Sequence, residues 1–159
     1  MKRMERKRRM KRMQYRVILI LATALFFAGC ESGDPYEKER LAIENYKQTH
    51  NITAEPKSSG LYYFETKAGT GSTPAYGSKV RVKYKGTYVD GTEFDSGTFD
   101  FNLGLGQVIK GWDEGIGYMK EGGKALLIVP SDLGYGPNGY GGIPGYTPLI
   151  FDVELIDIF

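Results

Sequence analysis

The stretch "KVRVKYKGTYV", residues 79–89, constrains the fold more than any other part of the chain. Val80, Val82 and Tyr84 alternate with Arg81, Lys83 and Lys85. The side-chain period is therefore two, with one apolar face and one charged face. This pattern predicts a strand of an antiparallel sheet, half against a core and half in water. Asp90-Gly91 follows, a pair suited to a tight hairpin. "TEFDS" and "TFDFNLG" then read as two further short extended runs. "LYYFETKAG" reads as an earlier strand and "KALLIVP" as a short buried one. In the terminal "PLIFDVELIDIF", Leu149, Phe151, Val153 and Leu155 alternate with Ile150, Asp152, Glu154 and Ile156. This last strand is expected to pair inside the sheet. One segment breaks the period: Val108, Ile109, Trp112, Ile116 and Met119 fall at helical spacing. The body is thus of the α+β class, a mostly antiparallel sheet with one short helix. The 22 glycines and 13% aromatic residues agree with a body rich in turns and strands.

Upstream the composition changes. "MKRMERKRRMKRMQYR" is basic, and "VILILATALFFAG" follows it, thirteen mostly apolar residues that end at Cys30. A positive run leading into an apolar stretch of about 7–15 residues has the form of a secretory signal peptide. A membrane-spanning helix needs about 20 such residues. Taken alone, the basic run also suits nucleic acid or anionic lipid. However, nine of the 21 Lys/Arg and one of the 19 Asp/Glu fall in residues 1–29, which leaves the remainder at −6. A mildly acidic body without a basic stripe has no footprint for nucleic acid.

"FAGC" resembles the bacterial lipobox, with Phe27 where Leu is usual. The resemblance implies cleavage after Gly29 and lipidation of Cys30; a secreted protein with a free thiol is the alternative. Cys30 is the only cysteine, so no intrachain disulfide can form. Several acyl chains, at about 0.8 kcal/mol per buried methylene, hold a protein firmly on a membrane. Glu31, where Asp is absent after the cysteine, points to the outer membrane, facing the periplasm. The expected organisation is a signal peptide over 1–29, an anchored Cys30 with a short helix and linker over 30–59, and a domain over 60–159. Asp34-Pro35 is a fair helix start. A polar helix is expected over 35–49 with a thin stripe of Leu41, Ile43 and Tyr46, then a linker through Ser59. A disordered tether and a dimerisation helix are the alternatives there.

The domain has little scope for nucleophilic or metal chemistry. The only His, His50, and the only Cys both precede residue 60. Cys₂His₂-type metal sites and His-based triads are therefore impossible within the domain. "GYMKEGGKA" fails as a phosphate loop: five residues separate Gly117 from Gly123, and Ala125 stands where Ser or Thr is needed. "GLGQVIKG" is not a dinucleotide fingerprint, because its third Gly comes too late. No cofactor and no metal are expected. Any catalysis must use aromatics, one or two carboxylates and backbone groups.

Together, "VRVKYKGTYVDGTEFDSG", "FNLGLGQVIKGWDEGIGYMKEGGKALLIVPSDLGYG" and "IPGYTPLIFDVELIDI" resemble the FKBP family of peptidyl-prolyl cis-trans isomerases over about residues 60–159. The resemblance implies a curved antiparallel sheet of five or six strands wrapped around one short helix, with an apolar pocket between them. Carried over position by position, it implies a pocket of Tyr84, Phe94, Asp95, Phe99, Val108, Ile109, Trp112, Tyr135, Ile143 and Phe151. Trp112, Asp95, Tyr135 and Phe94 would be the catalytic group, with Trp112 as the floor under a substrate proline. Tyr84, Phe99, Val108, Ile109, Ile143 and Phe151 would bind substrate. The Tyr135 hydroxyl and the Ile109 N–H would donate to substrate carbonyls. Asp95 would face the twisting carbonyl or fix its neighbours. Taken singly, Tyr84, Val108 and Phe151 also suit plain core, Asp95 suits a turn, and Tyr135 suits a mobile lip. Gln107, Tyr140, Gly142, Gly145 and the short "SGT" after Asp95 depart from the family pattern around the rim. These departures bear on substrate preference and inhibitor affinity more than on activity.

The implied function is isomerisation of X-Pro bonds in exported proteins, assisting folding in the cell envelope. The implied partners are proline-containing polypeptides, macrolide-type inhibitors in the same pocket, and a membrane through Cys30, with no nucleic acid. A proline-segment-binding chaperone and an envelope-assembly lipoprotein with little turnover are the alternatives.

Overall fold

The computed structural model describes residues 33–159. The expected signal peptide and Cys30 lie outside the described residues. Five antiparallel strands form one sheet: β1 (Tyr62–Lys67), β2 (Lys79–Thr87), β3 (Glu93–Asn102), β4 (Lys124–Val129) and β5 (Leu149–Ile158). Their spatial order is β1-β4-β5-β2-β3. α1 (Pro35–Thr49) precedes the strands, and α2 (Lys110–Gly117) lies between β3 and β4. The C-terminal strand pairs on both sides, since Phe151 stands opposite Leu127 of β4 and Gly86 of β2. β5 carries apolar residues at both parities near its start because both faces are covered there: Leu149, Phe151 and Val153 lie in one buried cluster and Ile150 in another.

The two faces of the sheet are covered by different helices. One face carries Val80, Val82, Leu127, Val129, Phe151, Val153 and Leu155, and it packs with Trp112, Ile116 and Met119 into the principal core. The helix comes close because its contacting residues are glycines. A Cβ on Gly111 would lie 2.6 Å from Val129 Cγ1, and one on Gly115 would lie 2.8 Å from the Leu127 methyls. The other face, from Tyr62, Leu126, Ile128 and Ile150, forms a second cluster with Ile43 of α1 and with Ile52.

Several expectations are corrected. α1 occupies the expected 35–49 and is capped by Asp34, whose side chain accepts the Tyr36 N–H at 3.0 Å. It is not a spacer, because Asp34–Phe159 forms a single compact unit. The thin stripe suffices because Ile43, only 3% exposed, lands on an apolar sheet face. Leu41 stays 54% exposed. Residues 50–59 are no free linker. The Ile52 N–H donates to the Lys47 carbonyl at 2.9 Å, and Pro56 bridges to Tyr62. "TEFDS" and "TFDFNLG" are not two runs but one ten-residue strand, because β2 pairs straight through Ser96, Gly97 and Thr98. α2 starts at Lys110; Ile109 precedes it as extended backbone, and Val108 lies in a bend before that.

Candidate active site

A cavity of about 270 Å³ opens between the sheet and the first turn of α2. Trp112 forms its floor. It is 5% exposed, with ring centroids 4.9 Å from Tyr84 and 5.3 Å from Phe151, both edge to face, and 5.9 Å from Phe101. Such aromatic pairs add roughly 0.5–1.5 kcal/mol each beyond area burial. The Trp112 indole N–H is buried without a hydrogen-bond partner, the one such side-chain group among the described residues. Buried donors without a partner are rare in native structures, so this one calls for an explanation.

β2 contributes Tyr84 to the wall, and β3 contributes Phe94, Asp95 and Phe99. Strict alternation would send Phe94 and Asp95 to opposite faces of the sheet. A bulge prevents this. Gly86 pairs with Asp95 and Thr87 pairs with Glu93, so Phe94 is the extra residue and both side chains line the cavity. Bulges re-aim side chains in this way. A Cβ at Gly86 would lie 2.6 Å from the Phe94 ring and 3.0 Å from that of Phe151. Glycine there lets these two rings meet edge to face at 5.6 Å.

The loop between β3 and α2 supplies Gln107, Val108 and Ile109. Asp113 ties it down by accepting the N–H groups of Gly104 at 2.8 Å and Gly106 at 3.0 Å. Gln107 Oε1 accepts the Asn102 N–H at 2.8 Å. Ile109 starts the helix, and its carbonyl accepts the N–H groups of Trp112 and Asp113. The Ile109 N–H has no hydrogen bond among the described residues.

The polar groups of the site are few. The Tyr84 hydroxyl donates to Asp95 Oδ2 at 2.8 Å. Burial, then the Asp95 hydrogen bond and charge, push this phenol up to about 12. Burial, then the Asp95 charge, raise Tyr135 above its ordinary value. Both phenols therefore stay protonated donors at neutral pH. Tyr135 stands on the lip between the 3₁₀ turn Ser131–Leu133 and β5, with its ring stacked on Tyr140 at 5.7 Å. Among the described residues, no group of three or more His, Cys, Asp or Glu is gathered for a metal ion.

The structure thus brings nine of the ten expected residues to one cavity and leaves Ile143 out. Ile143 lines an adjoining hollow with Tyr88, Tyr140, Gly141 and Gly142, and that hollow shares Phe94, Asp95 and Tyr135 with the main cavity. The cause is a tight turn within the lip, where Tyr140 and Ile143 exchange backbone hydrogen bonds of 3.0 and 2.9 Å. Gln107 lines the cavity, although its sequence reads as a rim departure. Tyr88 is a further residue beside the site; it continues the parity of Val80, Val82 and Tyr84 just past the end of β2.

Comparisons with known proteins agree on one family. The family model for FKBP-type peptidyl-prolyl cis-trans isomerase matches residues 70–156. The FK506-binding protein of Neisseria meningitidis serogroup B is 46% identical over 106 residues, covering 63% of this chain and 97% of that protein. The isomerase FkpA of Escherichia coli (strain K12) is 44% identical over 104 residues, covering 64% of this chain and 38% of that longer protein. The crystal structure of FkpA from Escherichia coli superposes with a TM-score of 0.69 at 34% identity, covering 92% of this chain and 71% of that one.

Proposed function

The chain belongs to the FKBP-type peptidyl-prolyl cis-trans isomerase family, and from that premise we propose that it turns X-Pro bonds of exported proteins in the cell envelope, tethered by a lipid on Cys30. The observation that carries this reading is the aromatic cavity built on Trp112, which has donors at its edge and no nucleophile.

The chemistry needs nothing more. Resonance gives the peptide bond a rotation barrier of about 18–20 kcal/mol. X-Pro bonds populate both isomers and exchange over tens to hundreds of seconds. At the twisted transition state the resonance is lost, the carbonyl becomes less polar and the nitrogen more pyramidal. A water-poor aromatic bowl favours that state over the planar, well-hydrated amide, so the transition state is bound more tightly than the ground state. In this reading the proline ring rests on Trp112 between Tyr84, Phe99, Val108 and Phe151. The Tyr135 hydroxyl and the Ile109 N–H donate to substrate carbonyls on either side of the twisting bond. Asp95 fixes Tyr84 by accepting its hydroxyl and faces the reacting carbonyl with its charge. Phe94 closes the far wall. An FK506-type macrolide would occupy the same bowl and compete with peptide. Exposed Phe99 and Tyr140 at the rim suit a holding activity beside turnover.

The basic run, the apolar stretch and "FAGC" support the envelope location. Fractionation of cells expressing the full chain tests it. The native protein should carry fatty acid and sediment with membranes, and a Cys30→Ser variant should lose both properties. A native chain that stays unacylated in the cytoplasm would overturn the location and leave the enzymatic assignment untouched.

A further inference from the structure

α1 carries a buried carboxylate that the catalytic account does not use. Glu39 is 6% exposed, and its two oxygens accept the backbone N–H and the hydroxyl of Ser131, the latter at 2.7 Å. A carboxylate withdrawn from water is tolerated only when hydrogen-bonded, and charge-assisted bonds are the strong ones. Here both are directed at one residue, 92 positions further along the chain. Ser131 passes the constraint on. Its carbonyl accepts the N–H of Gly134 at 2.9 Å and of Gly136 at 2.8 Å, the residues on either side of Tyr135. One turn before Glu39, the Tyr36 hydroxyl donates to Asp132 at 3.3 Å, and the Tyr36 ring meets Tyr146 edge-on at 5.0 Å. The Tyr146 N–H returns to the Gly136 carbonyl at 3.1 Å. Both legs of the lip are thus tied to α1. The lip itself holds six glycines between 134 and 145 and has little stiffness of its own.

We propose that Glu39 is a positioning residue for the isomerase: through Ser131 it sets the turn from which Tyr135 meets the substrate. The proposal rests on the role given to Tyr135 above. It makes α1 part of the catalytic apparatus, although the helix lies on the opposite face of the sheet from the cavity.

A mutant cycle in the full chain tests it, with exchange of an X-Pro peptide followed by NMR. Glu39→Ala should lower kcat/KM about threefold or more, up to the loss caused by Tyr135→Phe itself, because it displaces the same contacting group. In a Tyr135→Phe background the same change should cost less than about twofold, because coupled residues are not additive. Glu39→Gln, which keeps an oxygen for the Ser131 N–H, should recover most of the loss. A folded Glu39→Ala with native activity, or an undiminished loss in the Tyr135→Phe background, would overturn the brace. If Glu39→Ala does not fold, Ser131→Ala removes only the hydroxyl and takes its place in the cycle, and the same results decide. Native activity in Tyr135→Phe would instead overturn the role of Tyr135, and the brace with it.

Discussion

Trp112 answers two demands with one side chain. Its ring packs with Tyr84, Phe101 and Phe151, yet its N–H stays unpaired at the base of a cavity. Such donors are rare in a plain core, and this one lies at the base of the cavity, which weighs for a role as floor. Tyr135→Phe deletes one donor, and a net hydrogen bond of about 0.5–1.5 kcal/mol predicts a loss of about 3- to 10-fold in kcat/KM with the melting temperature unchanged. Asp95→Ala should cost a similar factor, because it also releases Tyr84. Neither phenol titrates near neutrality, so kcat/KM should be flat from about pH 6 to 9. A neutral-range step in that profile would count against this set of polar groups. Stability has an alkaline limit with a definite sign. Tyr84 holds its proton more tightly folded than unfolded, so its contribution is complete below about pH 10 and is lost as pH rises through about 12. Urea midpoints measured across that range check the sign.

At the level of elements, the hydrophobic periodicities carried most of the information. Alternation over Val80–Tyr84 and over Leu149–Leu155 marks β2 and β5, and the helical spacing ending at Met119 marks α2. Where local pattern failed, a neighbour had overridden it. "DSGT" reads as a break, yet β2 supplies a backbone partner for each residue, so β3 runs on. The shared aim of Phe94 and Asp95 depends on a bulge that alternation cannot reveal. Ile143 lines the hollow that adjoins the cavity, because a turn inside a glycine-rich lip sets its direction. The two glycines of α2 have a direct test. Gly111→Ala gains helix propensity of about 1 kcal/mol. It must also push against Val129, a stiff β-branched neighbour with two methyls within 3.0 Å of the new carbon. Overpacking of about 1–3 kcal/mol should exceed the gain, lower the urea midpoint and tilt Trp112. A Gly111→Ala protein at least as stable as the native one would show that the helix has room to retreat.

Across the described molecule, residues 34–59, which precede the family-like region, prove continuous with it. The sequence predicts a polar helix over 35–49 but not its docking, because Ile43 and Tyr46 are its main apolar contacts and a stripe that thin is invisible without its partner surface. The buried pair of Glu39 and Ser131 was equally unreadable, since each residue alone looks like a surface residue. Ile43→Ala should destabilise the chain by about 2–5 kcal/mol, the range for a buried large-to-small change, as measured by urea unfolding. A free tether would give almost no change. At the centre stands an aromatic cavity that turns an X-Pro bond by favouring its twisted form. NMR exchange spectroscopy on an X-Pro peptide, with the full chain at catalytic concentration, addresses this most directly. The account predicts cis–trans exchange well above the spontaneous rate, with most of the acceleration lost in Trp112→Leu. Exchange no faster than in the peptide alone, with the peptide demonstrably bound in the cavity, would contradict it.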